Sequence, residues 1–282
     1  MVAALALAAC HQTPPPAPIA APLAAPPVPA GMQYLYGSGE GATITLQAWR
    51  SLVSHVAQAV RARPTDSVVL AEGATLADPK WAPCGDKPIA AVFDVDETVL
   101  LNLGFEYEQA VHPGPYDPRK WEAWEQTGAA AVAPTPGAAK ALAVLRQMGV
   151  TVVFNTNRSA ASAAQTQQAI ESAGLGPAVH GDTLFLQGDA QGGGRKDARR
   201  AIIAARYCVV AMGGDQLGDF SDLFNDIASP SERRAATLAP PIAAKWGAGW
   251  FVMPNPVYGT GLKGGIDDVF PADKRWTPKG TP

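Results

Sequence analysis

Ile89-Ala90-Ala91-Val92-Phe93-Asp94-Val95-Asp96-Glu97-Thr98 is the stretch on which the fold turns. Its first five residues are continuously apolar, which reads as a strand buried on both faces of a parallel sheet. The run then ends in acids. Successive strand residues point to opposite sides, so Asp94 and Asp96 leave the chain on the same side with Val95 turned away. Their position matters because open parallel sheets bind ligands at the carboxyl ends of their strands.

Downstream the pattern repeats. Helix Pro136–Met148 leads into a strand at Val150–Asn155, and Ala160–Ala173 reads as a further helix. Then come a short strand Thr183–Leu186, a helix Lys196–Arg206, a strand Tyr207–Met212 and a last strand-like run Trp250–Met253. Strands alternating with helices over short connections predict an α/β fold, an open parallel sheet with helices on both faces. Upstream, Leu46, Trp49, Leu52, Val53, Val56 and Val60 recur at helical spacing, predicting an amphipathic helix over Thr45–Arg61, capped by Thr43 or Thr45 and stopped by Pro64. Residues 99–135, rich in aromatics and charge, read as an insertion. With the upstream helix it forms a small accessory layer.

Chemically useful residues fall just beyond the predicted strands. Thr156-Asn157-Arg158 follows the second core strand, Lys196 heads a later helix, and Gly213-Gly214-Asp215-Gln216-Leu217-Gly218-Asp219-Phe220 follows the next strand. An acid pair, a hydroxyl, a lysine and two further aspartates thus gather at one sheet edge. This series resembles the motif set of the haloacid-dehalogenase (HAD) superfamily. Adding the insertion with Trp121 and Trp124, and Pro254-Asn255-Pro256-Val257-Tyr258-Gly259, it is similar to the class C acid phosphatases, bacterial lipoprotein phosphatases and 5′-nucleotidases. The resemblance runs from about Gly39 to about Gly261. Two positions depart from it: Leu101 stands where the family usually has Asp, and Gln216 where it has Asn.

The resemblance implies a mechanism. Asp94 attacks phosphorus to give an aspartyl-phosphate, and Asp96, held protonated by its surroundings, serves the leaving alcohol and then water. Mg²⁺ sits on Asp94, the backbone carbonyl of Asp96, and Asp215, with Asp219 beside it; hard oxygen ligands suit that ion. Thr156, Asn157 and Lys196 hold the phosphoryl oxygens. Arg158 either binds substrate or makes a structural salt bridge. Trp121, Trp124 and Tyr258 line the substrate pocket, where aromatic faces would suit a nucleobase, although the tryptophans read equally well as core. The expected substrates are small phosphate monoesters, nucleoside monophosphates favoured. Rival readings are a phosphotransferase or sugar-phosphate phosphatase of the same fold, and a surface lipoprotein with a degenerate site.

Composition limits the alternatives. The chain has 282 residues, a net charge of −3 and no basic block, so no nucleic-acid polymer is expected as partner. The Gly192-Gly193-Gly194-Arg195-Lys196 run lacks the Gly-Lys-Ser/Thr ending of a P-loop. Scattered histidines and the absence of Cys-x-x-Cys argue against zinc. Near the start, Leu7-Ala8-Ala9-Cys10 resembles a lipobox, so residues 1–10 read as a lipoprotein signal and 11–31 as a Pro/Ala-rich tether to a phosphatase domain over 32–282. A lipid on Cys10 would place the enzyme in the cell envelope, at the outer membrane. The remaining cysteines, Cys84 and Cys208, are a disulfide in an exported protein or two buried thiols.

Overall fold

The computed structural model describes residues 27–278. The expected lipobox and most of the tether lie outside them. Strands in chain order are β1 (Asp66–Leu70), β2 (Trp81–Pro83), β3 (Ile89–Phe93), β4 (Leu100–Leu101), β5 (Ala133–Pro134), β6 (Thr151–Ser159), β7 (Leu184–Gln187), β8 (Cys208–Gly214) and β9 (Trp250–Val252).

Five of them form the expected parallel sheet, in the order β7-β6-β3-β8-β9. Ile89–Phe93 takes the centre because alternate residues meet two different cores. Ala91 and Phe93 pack with Trp49, Leu52, Leu142 and Phe154, while Ala90 and Val92 pack with Val153, Ile203, Phe220 and Trp250. Fully burying a side chain such as Phe93 contributes about 1.5–3 kcal/mol.

Several boundaries differ from the sequence reading. The first long helix spans Gly39–Ala62, with Ser38 as its cap: the Ser38 hydroxyl accepts from the Gly41 amide at 2.9 Å. Thr45 is interior, its hydroxyl turned back to donate to the Gly41 carbonyl. The second core strand runs on to Ser159 instead of ending at Asn155, because β7 keeps pairing with it past an irregularity, from Phe154↔Leu184 to Ser159↔Gln187. Thr156-Asn157-Arg158 is therefore held in a strand, which fixes its direction more firmly than a loop could.

The insertion contains helices Leu103–Val111 and Pro118–Thr127 above the short antiparallel pair β4–β5. Asp117 and Pro118 start the second of these, the Asp117 carboxylate accepting from the Arg119 amide at 2.9 Å. An antiparallel ribbon, β1–β2, was not anticipated. From its end, Cys84 forms a disulfide with Cys208, the first residue of β8, their Cα atoms 4.5 Å apart. That crosslink lies at the amino end of the sheet, away from the acids.

Candidate active site

At the carboxyl end of β3, the Asp94 amide continues the sheet ladder by donating to Gly213 O at 3.0 Å. The chain then turns sharply, with the amides of Val99 and Leu100 both donating to the Val95 carbonyl. This turn puts Glu97 in the left-handed region at φ 53°, a conformation uncommon outside glycine. Glu97 is held there by its carboxylate. It accepts from the Asn102 amide at 2.9 Å, the Asn102 side chain at 3.0 Å, the Tyr36 hydroxyl at 3.2 Å and the Tyr258 hydroxyl. Burial, with Asp96 adding to it, pushes the Glu97 carboxyl up to about 7.

Lys196 is the hub of the site. Its ammonium donates to Asp94 Oδ1 and, at 2.7 Å, to Asp219 Oδ1. Burial disfavours the ammonium, but Asp219 and Asp94 outweigh that and raise its pKa above the ordinary lysine value. Lys196 sits at the head of its helix, where the Lys196 and Asp197 amides donate to the Asp222 carboxylate. Arg200, one turn on, donates to the carbonyls of Gly218 and Asp219 at 2.9 and 2.8 Å, tying the lysine's helix to the Asp219 loop. Asp219 serves two neighbours: its Oδ2 closes the Leu217–Asp219 turn by accepting from the Gln216 amide, while Oδ1 faces Lys196. Gly214 permits this approach, since a Cβ there would come within 2.3 Å of Asp219 Cβ.

Asp215 Oδ2 accepts from Asn255 at 2.7 Å and from Gln216 at 3.0 Å. The Thr98 hydroxyl is within reach of both Asp94 and Asp215, at 3.4 and 3.3 Å. Burial and then Asp219 push Asp215 up to about 7. Asp94 is raised well above the carboxylate range, chiefly by burial and further by Asp219 and Asp215, with Lys196 opposing. Oxygens of Asp94, Asp215 and Asp219 lie within 4.8 Å of one another, close enough to hold one metal ion. With all three carboxylates ionised, the one ammonium would leave two negative charges uncompensated. A divalent cation with oxygen ligands fits that deficit in both sign and donor type.

Asp96 is aimed by its neighbours. Arg158 donates to Asp96 Oδ1 at 2.7 Å through Nη2 and 2.9 Å through Nε, and Asn102 adds a third bond at 3.0 Å. Oδ2 is the freer oxygen, with long contacts of 3.3 Å from Arg158 and 3.5 Å from Thr156. Arg158 is thus buried in a salt bridge, and does not reach the cavity. Thr156 is fully buried as well. Asn157 does face the cavity, but its side chain is engaged with Gly194 O and with Arg199.

An open cavity of about 1240 Å³ extends from the acids to the insertion. Phe105, Tyr116, Trp121 and Tyr258 line it. Phe105 and Trp121 meet edge to face at 5.0 Å. Trp124 is the exception among the expected pocket aromatics. It packs under Gly104 and Gly128 and donates to Asn102 Oδ1 at 3.0 Å, so it belongs to the insertion's core. Glu97, Asn102, Arg199 and Asn255 are site residues that the sequence reading did not single out. Glu97 and Asn255 lie within the quoted motifs without a role assigned to them, and Arg199 lies three residues beyond Lys196 on the same helix face.

Residues 42–261 match the family described as HAD superfamily, subfamily IIIB (acid phosphatase). Among solved structures, the chain is similar to the class C acid phosphatase from Bacillus anthracis, at 24% identity over 82% of this chain and 84% of that one, with a TM-score of 0.66. The crystal structure of the same Bacillus anthracis enzyme with tungstate bound matches at 24% identity over the same shares, with a TM-score of 0.65. Among curated proteins no relative matches the chain. With its matched span running from the long first helix to just past Tyr258, the chain belongs to the HAD subfamily IIIB acid phosphatases and is a phosphoric monoester hydrolase.

Proposed function

We propose that this phosphatase is Mg²⁺-dependent, favours nucleoside monophosphates, and works through an aspartyl-phosphate on Asp94. The observation that supports it best is Lys196 bridging Asp94 and Asp219 with Asp215 alongside, at the inner end of an aromatic-lined cavity. A phosphate monoester is an anion, so attack by a carboxylate is hindered mainly by charge. Mg²⁺ held by Asp94, Asp215 and the Asp96 carbonyl, with Asp219 near, would offset that charge. The remaining steps are the protein's own. Asp94 forms the new O–P bond as the ester O–P bond breaks, and Asp96 Oδ2 gives its proton to the departing alkoxide. Asp96 then takes a proton from the water that attacks the aspartyl-phosphate, releasing inorganic phosphate and restoring both acids. Arg158 and Asn102 keep Asp96 pointed for both transfers. The Lys196 ammonium and the backbone at Thr156 and Asn157 hold the phosphoryl oxygens.

Phosphate release from p-nitrophenyl phosphate and a panel of nucleoside monophosphates, with Mg²⁺ or EDTA, tests this. Asp94→Asn should lower kcat by about 10³-fold or more, the scale of removing a nucleophile. Activity surviving in a folded Asp94→Asn protein would remove Asp94 as nucleophile, and full activity in EDTA would remove the metal. The lipobox further supports attachment to the outer membrane through Cys10; Cys10→Ser should free the enzyme from membranes without changing its turnover.

A further inference from the structure

The inner wall of the cavity contains a carboxyl that no mechanism so far employs. Glu106, on the first insertion helix, lines the cavity yet is only 6% exposed. Its backbone amide continues the helix from Asn102 O, but among the described residues its carboxylate has no hydrogen-bond or ion-pair partner. Lys196, the basic side chain among the lining residues, is committed to Asp94 and Asp219. Glu125, the buried acid on the facing helix, is by contrast fully used. It accepts from Trp121 Nε1 at 2.8 Å and from the Ser159 amide at 3.1 Å.

A buried polar group normally finds a partner, because leaving it unpaired costs free energy. Burial alone pushes the Glu106 carboxyl up to about 7, so a partner supplied by a bound ligand would be strongly felt. Phe105 and Trp121 beside it close the same wall with apolar edges, leaving Glu106 as a polar contact among them. We propose that Glu106 is a specificity-determining residue that accepts a hydrogen bond from a hydroxyl or amino donor on the leaving group. The enzyme would then select phosphate esters of donor-bearing alcohols, such as nucleosides and sugars, over donor-free aryl esters. The inference rests on the phosphatase reading above and sharpens its substrate class.

The test compares parent, Glu106→Gln and Glu106→Leu on AMP, ribose 5-phosphate and p-nitrophenyl phosphate with Mg²⁺. Circular dichroism and thermal melting verify that each protein is folded at the assay temperature. A hydrogen bond to a charged group corresponds to about 10–100-fold. Glu106→Leu should therefore lower kcat/KM by that factor for at least one donor-bearing ester, mainly through KM, with p-nitrophenyl phosphate within about threefold of the parent. Glu106→Gln, which keeps an acceptor oxygen, should fall between. Equal losses on all three substrates would make Glu106 structural and overturn the proposal, as would no loss on any. If the parent hydrolyses only the aryl ester, the phosphatase mechanism stands, while the nucleotide preference and the Glu106 inference fall. If it hydrolyses none of the three, both fall together.

Discussion

Breaking the Cys84–Cys208 bond should cost this enzyme much stability and almost no chemistry. The bond closes a loop of 124 residues in sequence. Loop-closure entropy for that length amounts to about 16 cal/mol/K, or about 5 kcal/mol at 25 °C. For a protein of this size, each kcal/mol shifts the melting temperature by about 2–4 °C, so reduction should lower it by roughly 10–20 °C. The chemistry should be spared because the crosslink and the acids lie at opposite ends of β8: Cys208 opens the strand and Gly214 ends it. At about 3.3 Å per residue that separation is about 20 Å. Melting curves of the parent with and without reductant, beside Cys84→Ala/Cys208→Ala, measure the first effect, and kcat well below the melt measures the second. If thiol titration finds both cysteines reduced while the melting temperature moves by less than about 2 °C, the entropic reasoning fails. If kcat falls at a temperature where the reduced protein is fully folded, the assumed independence of the two ends fails.

Two further expectations concern the acids. Gly214→Ala places a Cβ within 2.3 Å of Asp219 Cβ, so Asp219 must withdraw from Lys196; Mg²⁺ titration of activity should show a loss of affinity of about 10-fold. Stability should also depend on pH. Glu106 and Asp215 are both raised to about 7 in the folded protein. A folded state that binds more protons than the unfolded one loses stability as pH rises from the unfolded value, near 4–4.5, to about 7. Metal-free protein should therefore show a higher urea midpoint at pH 5 than at pH 8. Glu106→Gln should flatten that slope, and Mg²⁺ at pH 8 should recover the part due to Asp215. A midpoint that rises with pH would contradict the assigned shifts.

How much of this was legible in the chain depended on whether the signal was local. The central strand is readable at Ile89–Phe93 because both faces of one short run are apolar. The motif residues Asp94, Lys196 and Asp215 are readable because each directly follows a strand or opens a helix, and Thr156 because it follows the apolar run that begins at Val150. The β1–β2 ribbon was not, since Val68 and Val69 find their place only by packing beside Trp250, far along the chain. The start of the first helix was missed because Gly39 and Gly41 lower local propensity, which Ser38 capping and burial of Gly41 override. Trp121 and Trp124 look alike in sequence. Their separation into a cavity wall and a core residue depends on Asn102, which takes the Trp124 indole N–H at 3.0 Å. The roles of Glu97 and Asn255 were not legible, although both lie in quoted motifs, because their partners Tyr36, Tyr258 and Asp215 are set against them only by the closed fold.

That closure also sets a clock on biosynthesis. The two tyrosine hydroxyls that meet on Glu97 come from near both ends of the described chain, and Asn255 reaches Asp215 only when β9 has joined the sheet. About 160 residues separate Asp94 from Tyr258, so at about 5–20 residues per second a ribosome needs roughly 10–30 s between them. Throughout that interval the growing chain already has Asp94 but lacks Asp215, Asn255 and Tyr258 in turn. The hydrogen bonds that hold Glu97 and Asp215 are therefore complete only after the chain has grown past Tyr258 and the last strand has joined the sheet.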